Sequence, residues 1–279
     1  ATRDSDWVYC RDELLLKLLG SMRRRLAIEL HALPKPKYRS LLRRADRIIV
    51  ITHAIKEGLV KQGIGTENIA VAPDAVELKQ FSDLPNREAA RTQLDWSTNR
   101  KIAVYTGHPY PWKGVFRLAE ASKLLSDDWQ VVIVGGMPKE LKPLQNYVAG
   151  NTLSRARVVS HQERKALLAY LAAADVLVIP NTAESDRSRL YSSPLKLFEY
   201  LAAGRPIVAS DLSSIREVVS EREVIFVKPD DPKDLARGIR EAGESDQTAR
   251  VSAALLLAQR YTWEARAKTI FDFLSALPK

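Results

Sequence analysis

The sequence predicts an α/β fold built on parallel sheets, and three observations lead to it. Short apolar runs rich in valine and isoleucine alternate with helical patterns over most of the chain. Strands that read as continuous apolar runs are buried on both faces, as in a parallel sheet whose helices make right-handed crossovers. A length of 279 residues with 46% apolar content supports a full core and accommodates two lobes.

The alternation is complete in the second part of the chain. Strands are predicted at 101–107, 129–136, 156–160, 175–180, 206–210 and 223–228, and helices at 113–126, 138–149, 163–174, 194–203, 213–220 and 232–243. This is the pattern of a Rossmann-like, doubly wound sheet, in which ligands bind beyond the carboxyl ends of the strands. We therefore predict a ligand-binding lobe over residues 73–261.

The first hundred residues show the same alternation less completely. Strands are predicted at 6–10, 26–31, 47–52 and 69–73, and helices near 12–22, 37–45 and 54–62. A Rossmann-like lobe typically needs ~150 residues. Residues 1–72 are therefore expected to form an incomplete amino-terminal lobe, with roughly half of it lying upstream. After Ser245 the pattern is wholly helical, and residues 262–279 predict a last helix.

Composition narrows the class of protein. The single cysteine, Cys10, excludes an internal disulfide framework, fits a reducing compartment and is expected to be a small core residue. No apolar run reaches the ~18 to 20 residues of a membrane span, and residues 1–6 lack the features of a signal peptide. A cytoplasmic protein is predicted. No cluster of His, Cys, Asp and Glu has metal-ligand spacing, so neither a metal nor another cofactor is expected.

Basic residues are concentrated at the amino-terminal end. The net charge is +9, and residues 1–50 hold twelve basic and six acidic side chains. Such a surface suits phosphate-rich partners, and a solvated face is the alternative. We expect peripheral contact with the anionic inner face of the membrane through Arg23, Arg24, Arg25, Lys35 and Lys37. Nucleic acid is not an expected partner because no nucleic-acid motif accompanies the charge.

The segment YTGHPYPWKG, residues 105–114, follows the first strand of the second lobe and opens a helix. Gly107 permits a tight turn or a close approach of the backbone to a ligand. Lys113 adds a full charge to the positive end of the helix, which favours a phosphate. A plain strand-to-helix turn with a solvent-exposed lysine is the alternative, since neither a dinucleotide fingerprint nor a Walker A motif is present.

A second anion site is predicted in SSPLKLFEYLAAGRPIVASD, residues 192–211. Ser193 is expected to cap a nearly all-apolar helix whose first turn carries Lys196. Glu199 lies one turn further on the side of Leu195, and a buried carboxylate needs hydrogen-bond donors from the protein or from a ligand. Two cationic helix starts beside a carboxylate suit a sugar nucleotide, with ribose hydroxyls on Glu199. A structural pair between Glu199 and Lys196 is the alternative.

Four motifs, taken in order, resemble those of a known family. They are ADRIIVIT...IKEGL...GI...NIAVAPDAVELKQF, YTGHPYPWKG, AADVLVIPN...SPLKLFEYLAAGRPIVASDLSSIREVV and YTWEARAKTIFDFL. Together they cover nearly the whole chain and closely resemble the family-four retaining glycosyltransferases, which have the GT-B fold. The resemblance implies a nucleotide-sugar donor lobe over 73–261, an acceptor lobe over 1–72, and a last helix over 262–279 that returns to the acceptor lobe.

The resemblance also implies roles for single residues of the second lobe. It implies that Lys113 contacts the departing diphosphate and that Glu199 holds the ribose. Backbone groups near Leu195 and Lys196 are expected to hold phosphate, and the loop at His161 to approach the base.

Three further positions are compared with the family: one resembles it and two depart from it. His31 resembles the first-lobe histidine that faces the donor sugar, although a lone histidine after a strand is also commonly structural. His108 stands where most members have an arginine, so a permanent cation becomes a titratable group. Tyr191 stands where the first of the family's two glutamates normally contacts the donor sugar.

The sequence thus predicts a glycosyltransferase that moves a hexose-type sugar, with retention of configuration, from a nucleoside diphosphate to an acceptor glycan or a lipid-linked acceptor. The alternative is a non-catalytic nucleotide-sugar-binding module, degenerate or truncated. The predicted catalytic residues are Lys113, His31 and His108. The predicted donor-binding residues are Gly107, His161, Tyr191, Ser193, Leu195, Lys196 and Glu199.

Overall fold

The computed structural model describes residues 7–19 and 25–276, and the amino-terminal part of these forms a four-stranded parallel sheet in the order β1-β2-β3-β4. Its strands are β1 (Trp7–Cys10), β2 (Arg25–Leu30), β3 (Arg47–Val50) and β4 (Ile69–Val71). Its helices are α1 (Glu13–Leu19), α2 (Arg39–Leu42) and α3 (His53–Val60). Cys10 is buried in the core of this sheet, as expected. Arg23 and Arg24 of the predicted basic surface lie outside the described residues.

The second part of the chain forms a six-stranded parallel sheet in the order β10-β9-β8-β5-β6-β7. Its strands are β5 (Lys101–Thr106), β6 (Trp129–Val134), β7 (Ala156–Val159), β8 (Val176–Ile179), β9 (Ile207–Ser210) and β10 (Ile225–Val227). Its helices are α4 (Arg87–Gln93), α5 (Val115–Ser122), α6 (Pro138–Gly150), α7 (Arg164–Ala173), α8 (Asp186–Arg189), α9 (Leu195–Ala202), α10 (Ser213–Arg216), α11 (Pro232–Glu244) and α12 (Thr248–Ala258). The strand order reverses between β5 and β8, which is where a doubly wound sheet opens a crevice for a ligand.

Both faces of the second sheet are covered by buried apolar side chains. Along β5, Ile102 and Val104 belong to the cluster on one face, while Ala103 and Tyr105 belong to the cluster on the other. This alternation is the two-residue period of a strand. The strand is buried on both faces, which confirms the α/β prediction of a parallel sheet enclosed by helices.

The last helix, α13 (Trp263–Ser275), lies against the first sheet. Its Ile270 and Leu274 pack on the buried apolar cluster of that sheet. The chain passes between the lobes near Val76 and again near Tyr261. The two crossings lie side by side, since the Val76 N–H donates to the Tyr261 carbonyl at 2.8 Å. None of the described helices is long and apolar enough to cross a membrane.

The element predictions differ from the structure at several places, and two of the differences have a clear physical cause. The helix predicted at 113–126 begins as a 3-10 turn at Pro111–Lys113, and α5 starts only at Val115. Gly114 separates the two because its φ is +72°, and a Cβ there would lie 1.7 Å from the Pro180 carbonyl oxygen. Helix α4 was not predicted, since the residues it buries are only Ala90 and Arg91, which give no apolar period.

Candidate active site

A cleft of about 420 Å³ lies where the carboxyl ends of the two sheets face each other. The first sheet contributes residues that follow β2, β3 and β4, and the second contributes the turn after β5 and the segment from α8 to α9. The predicted site residues that line it are His31, Gly107, His108, Lys113, Tyr191, Ser193, Leu195, Lys196 and Glu199. Sequence motifs more than a hundred residues apart are therefore brought together at one place.

Lys196 carries a buried amine at this cleft. The residue is 8% exposed, and no hydrogen-bond partner for its Nζ occurs in the described part of the chain. The Nζ lies 3.4 Å from the centroid of the Tyr105 ring. It comes so close to Gly107 that a Cβ there would stand 3.1 Å away. Burial, and then the charge of Lys113, lower the pKa of Lys196 well below its usual range, so the amine favours its neutral form unless an anion lies beside it.

Lys113 approaches the same cleft from the turn after β5. Its Nζ lies 3.8 Å from the ring centroid of Trp112, and the guanidinium of Arg187 lies 4.9 Å from the same ring. Burial and the charge of Arg187 lower the pKa of Lys113 to about 8. Arg187 lies on the four-residue helix α8, whose short polar sequence gave no signal that it would line the cleft.

The start of α9 corrects the prediction for Ser193. The N-cap is Pro194, with an extended backbone, and no side chain caps the helix. Ser193 therefore lies one residue outside the helix, and its Oγ instead accepts a hydrogen bond from the Asp74 N–H at 2.9 Å. Ser193 thus joins the two sides of the cleft. Leu195 is 50% exposed, in contrast to the buried helix that the apolar sequence predicts.

Glu199 finds its partner within the protein, and that partner is not Lys196. Its Oε1 accepts a hydrogen bond from Arg164 of α7. The Arg164 Nε in turn donates to Gln80 at 2.7 Å. The ion pair uses Oε1, which leaves Oε2 for a hydroxyl donor in the cleft. Arg164 carries no motif that would have identified it, because its role depends on how α7 packs beside α9.

His108 is an exposed side chain tied to α6. Its ring stacks on Tyr110 with centroids 5.2 Å apart. Its Nδ1 lies 3.0 Å from Glu140 Oε2, and because a carboxylate only accepts, Nδ1 is the donor. Hydrogen bonds from the Met137 N–H and from His108 lower the pKa of Glu140.

His161 and Tyr191 are placed differently from each other. His161 is exposed after β7, donates its N–H to the Gly136 carbonyl at 3.0 Å, and is not among the residues that line the cleft. Tyr191 lines the cleft and packs against the apolar core of the first sheet. The tyrosine therefore brings the segment before α9 into contact with the first lobe.

Solved structures with this arrangement define the class of fold. The structure of Anabaena Alr3699/HepE in complex with UDP superposes with a TM-score of 0.83, at 20% sequence identity, over 98% of this chain and 79% of that one. A sucrose-phosphate synthase from Thermosynechococcus elongatus superposes with a TM-score of 0.80, at 20% identity, over 97% and 73% of the two chains. The fold is GT-B, and its smaller first sheet fits an incomplete amino-terminal lobe.

The sequence comparisons define the family. The sequence profile of the glycosyl transferases group 1 matches residues 100–244, more than half of the chain. The chain therefore belongs to the group 1 glycosyl transferases. The phosphatidyl-myo-inositol mannosyltransferase of Mycobacterium tuberculosis is 29% identical over 213 residues, which are 72% of this chain and 54% of the relative. The D-inositol 3-phosphate glycosyltransferase of Xylanimonas cellulosilytica is 26% identical over 249 residues, 84% and 58% respectively. The chain spans about half the length of the curated relatives it matches.

Proposed function

We propose that the cleft binds a nucleoside-diphosphate sugar and that the protein transfers its hexose-type sugar, with retention of configuration, to an acceptor glycan or a lipid-linked acceptor. The observation that carries the proposal is the buried amine of Lys196, which has no partner among the described residues. Burying a cation without a counterion is unfavourable, and a diphosphate at the cleft would supply that counterion. The UDP complexes of the structurally similar Anabaena protein support a nucleotide ligand of this kind.

The diphosphate is proposed to lie between the turn after β5 and the start of α9. Lys113, Lys196 and His108 stabilise the charge that develops on the leaving group. The N–H groups of the first turn of α9 face no capping side chain, so they are available to phosphate oxygens. Gly107 leaves room for the ligand because it has no side chain. We propose no metal ion and no other cofactor for this step.

The remaining parts of the donor are assigned from the resemblance to the family. We propose that Glu199 Oε2 accepts from the ribose hydroxyls while Arg164 fixes Oε1. Tyr191 and His31, which approach from the side of the first sheet, are proposed to contact the sugar. The loop of His161 is proposed to reach the base, although His161 lies outside the lining of the cleft.

A non-catalytic nucleotide-sugar-binding module is the second candidate. Two observations favour it. His108 is engaged by Glu140 instead of being free for the phosphate, and Tyr191, in the position of a glutamate in the resembling family, packs against the first sheet. Such a module would bind the nucleotide and leave the sugar in place.

Binding and turnover must be measured side by side to separate the two candidates. Nucleotide affinity is obtained by titration with UDP and GDP, and turnover by release of nucleoside diphosphate from UDP-glucose and GDP-mannose. Binding with release supports the transferase, and binding without release supports the module. Lys113→Ala and Glu199→Ala should each weaken binding, and unchanged affinity in both folded variants would remove the donor-site proposal.

A further inference from the structure

A buried carboxylate lies directly behind the cleft on the side of the first sheet. Glu29, on β2, is 5% exposed. Tyr9 on β1 donates its hydroxyl to Glu29 Oε2. The Oε1 atom lies 2.5 Å from His31 Nε2 and 3.1 Å from Arg266 Nη2 of the last helix. Side chains from β1, from the residue after β2 and from the last helix therefore meet at one carboxylate. Of these side chains, only that of His31 lines the cleft.

The hydrogen bond to Glu29 shows which nitrogen of the His31 imidazole carries the proton. A carboxylate only accepts hydrogen bonds, so the Nε2 of His31 carries a proton and donates to Glu29. The Arg11 guanidinium lies against the same ring, with its Nη2 3.2 Å from Nδ1 and 2.8 Å from Nε2, so a cationic donor also faces the imidazole. The buried Glu29 carboxylate therefore favours the tautomer that carries its proton on Nε2.

Glu29 keeps its charge throughout the ordinary pH range. Burial by itself raises its pKa, but hydrogen bonds from His31 and Tyr9 and the charge of Arg266 lower the pKa to about 2. The other carboxyl near His31 belongs to Asp74, whose pKa is raised by burial. Glu29 is therefore the permanent anion beside this imidazole.

We propose that Glu29 is the positioning residue of His31, holding its imidazole in one orientation and one tautomer toward the donor cleft, and that Arg266 ties this pair to the last helix. The inference rests on the proposed place of His31 beside the donor sugar. Arg266 reaches across because its Nε also donates to the Pro73 carbonyl at 2.9 Å, where the chain leaves the first sheet. The last helix thereby acts on the cleft through one guanidinium.

The sequence contains a signal for this pair. Glu29 and His31 are two residues apart, so they lie on the same side of an extended segment. A solely structural ion pair between Glu29 and Arg266 would also explain the burial of the carboxylate. The two explanations differ in whether the proton on His31 depends on Glu29.

Nuclear magnetic resonance of the ligand-free protein tests this dependence without requiring turnover. Long-range nitrogen-proton spectra report the tautomer and the protonation midpoint of His31, assigned with a His31→Gln variant. Glu29→Gln keeps the shape of the side chain and removes the charge. The midpoint is expected to fall by about one pH unit or more, a tenfold change in proton affinity, and signals of the second tautomer should appear. Glu57→Gln, an exposed position on α3, is the matched control and should change neither.

A Glu29→Gln variant that folds and leaves the midpoint and the tautomer of His31 unchanged would overturn the proposal. If that variant does not fold, Tyr9→Phe provides the test. It removes one donor from Glu29 and leaves the charge, so the His31 midpoint should rise, and an unchanged midpoint would again overturn the proposal. UDP titrations of the same variants separate this result from the proposed function. The variants should bind UDP with the affinity of the parent, because Glu29 does not line the donor cleft. A parent that binds no UDP would argue only against the proposed donor site.

Discussion

Two lysines determine the electrostatics of the cleft at the scale of single residues. Lys113 and Lys196 come from separate motifs, and burial is the largest cause that lowers the pKa of each amine. Removing a cation from water is unfavourable unless a counterion is supplied. A diphosphate bound beside these amines would supply that counterion and favour their charged form.

The affinity for a nucleoside diphosphate is expected to fall as the pH rises from 7 to 9. Burial and Arg187 lower the pKa of Lys113 to about 8, so its charge is present below that pH and is lost above it. At pH 9 the free protein must take up a proton before the amine can pair with phosphate, which weakens binding by about tenfold. Titration calorimetry at the two pH values measures the change. Uridine, which has no phosphate, should show no such trend, and equal UDP affinities at both pH values would contradict the argument.

The residues of the site were predictable from the sequence to the extent that they lie in local motifs. Gly107, Lys113 and Lys196 follow strands at the carboxyl edge of a sheet, and any such sheet gathers them there. The partner of Glu199 was not predictable, because Arg164 is 35 residues away and reaches it only through the packing of α7 beside α9. The link from Ser193 to Asp74 depends likewise on how the two lobes meet.

At the scale of elements, the turn between β5 and α5 determines where Lys113 lies. Gly114 adopts a left-handed conformation and packs against the backbone of Pro180, at the end of β8. The turn is therefore fixed to the neighbouring strand, and the cleft is shaped by contacts between backbones. The sequence predicted a strand-to-helix segment at 105–114 but not this contact, which is why the predicted helix began too early.

Gly114→Ala is expected to destabilise the fold strongly. The added Cβ would lie 1.7 Å from the Pro180 carbonyl oxygen and force a residue with a side chain into positive φ. The strain in φ alone costs about 1 to 3 kcal/mol in the free energy of unfolding. The matched control is Gly150→Ala at the end of α6, where a Cβ meets no atom within 4 Å. Urea denaturation compares the two, and equal stabilities would show that the turn is not constrained as described.

At the scale of the whole molecule, one face of the first lobe combines charge with exposed apolar side chains. Leu14 and Leu15 of α1 are 51% and 41% exposed. Arg43 and Arg44 follow α2, and Arg44 donates to the carbonyl of Lys17 on α1. Basic groups around an apolar helix face favour the surface of an anionic bilayer.

The chain should therefore bind vesicles that contain anionic lipid more strongly than neutral vesicles. The attraction acts over a Debye length of ~8 to 10 Å and should fade as salt is raised. Replacing Arg43 and Arg44 by glutamate should reduce sedimentation with anionic vesicles. The same charge change at Lys139 and Lys142 on α6, on the other lobe, should have little effect. Equal binding to both vesicle types at low salt would leave a water-soluble acceptor as the better proposal.

The cleft between the two sheets is proposed to be a nucleoside-diphosphate site. The most direct test is calorimetric titration of the Lys196→Met variant with UDP and GDP. Methionine keeps the apolar stem over Tyr105 and removes the charge, so at least one nucleotide that binds the parent should lose about 1.5 to 3 kcal/mol of binding free energy. The exposed Lys165→Met on α7 is the control and should bind as the parent does. A parent that binds neither nucleotide, or a folded Lys196→Met variant that binds as tightly as the parent, would contradict the claim.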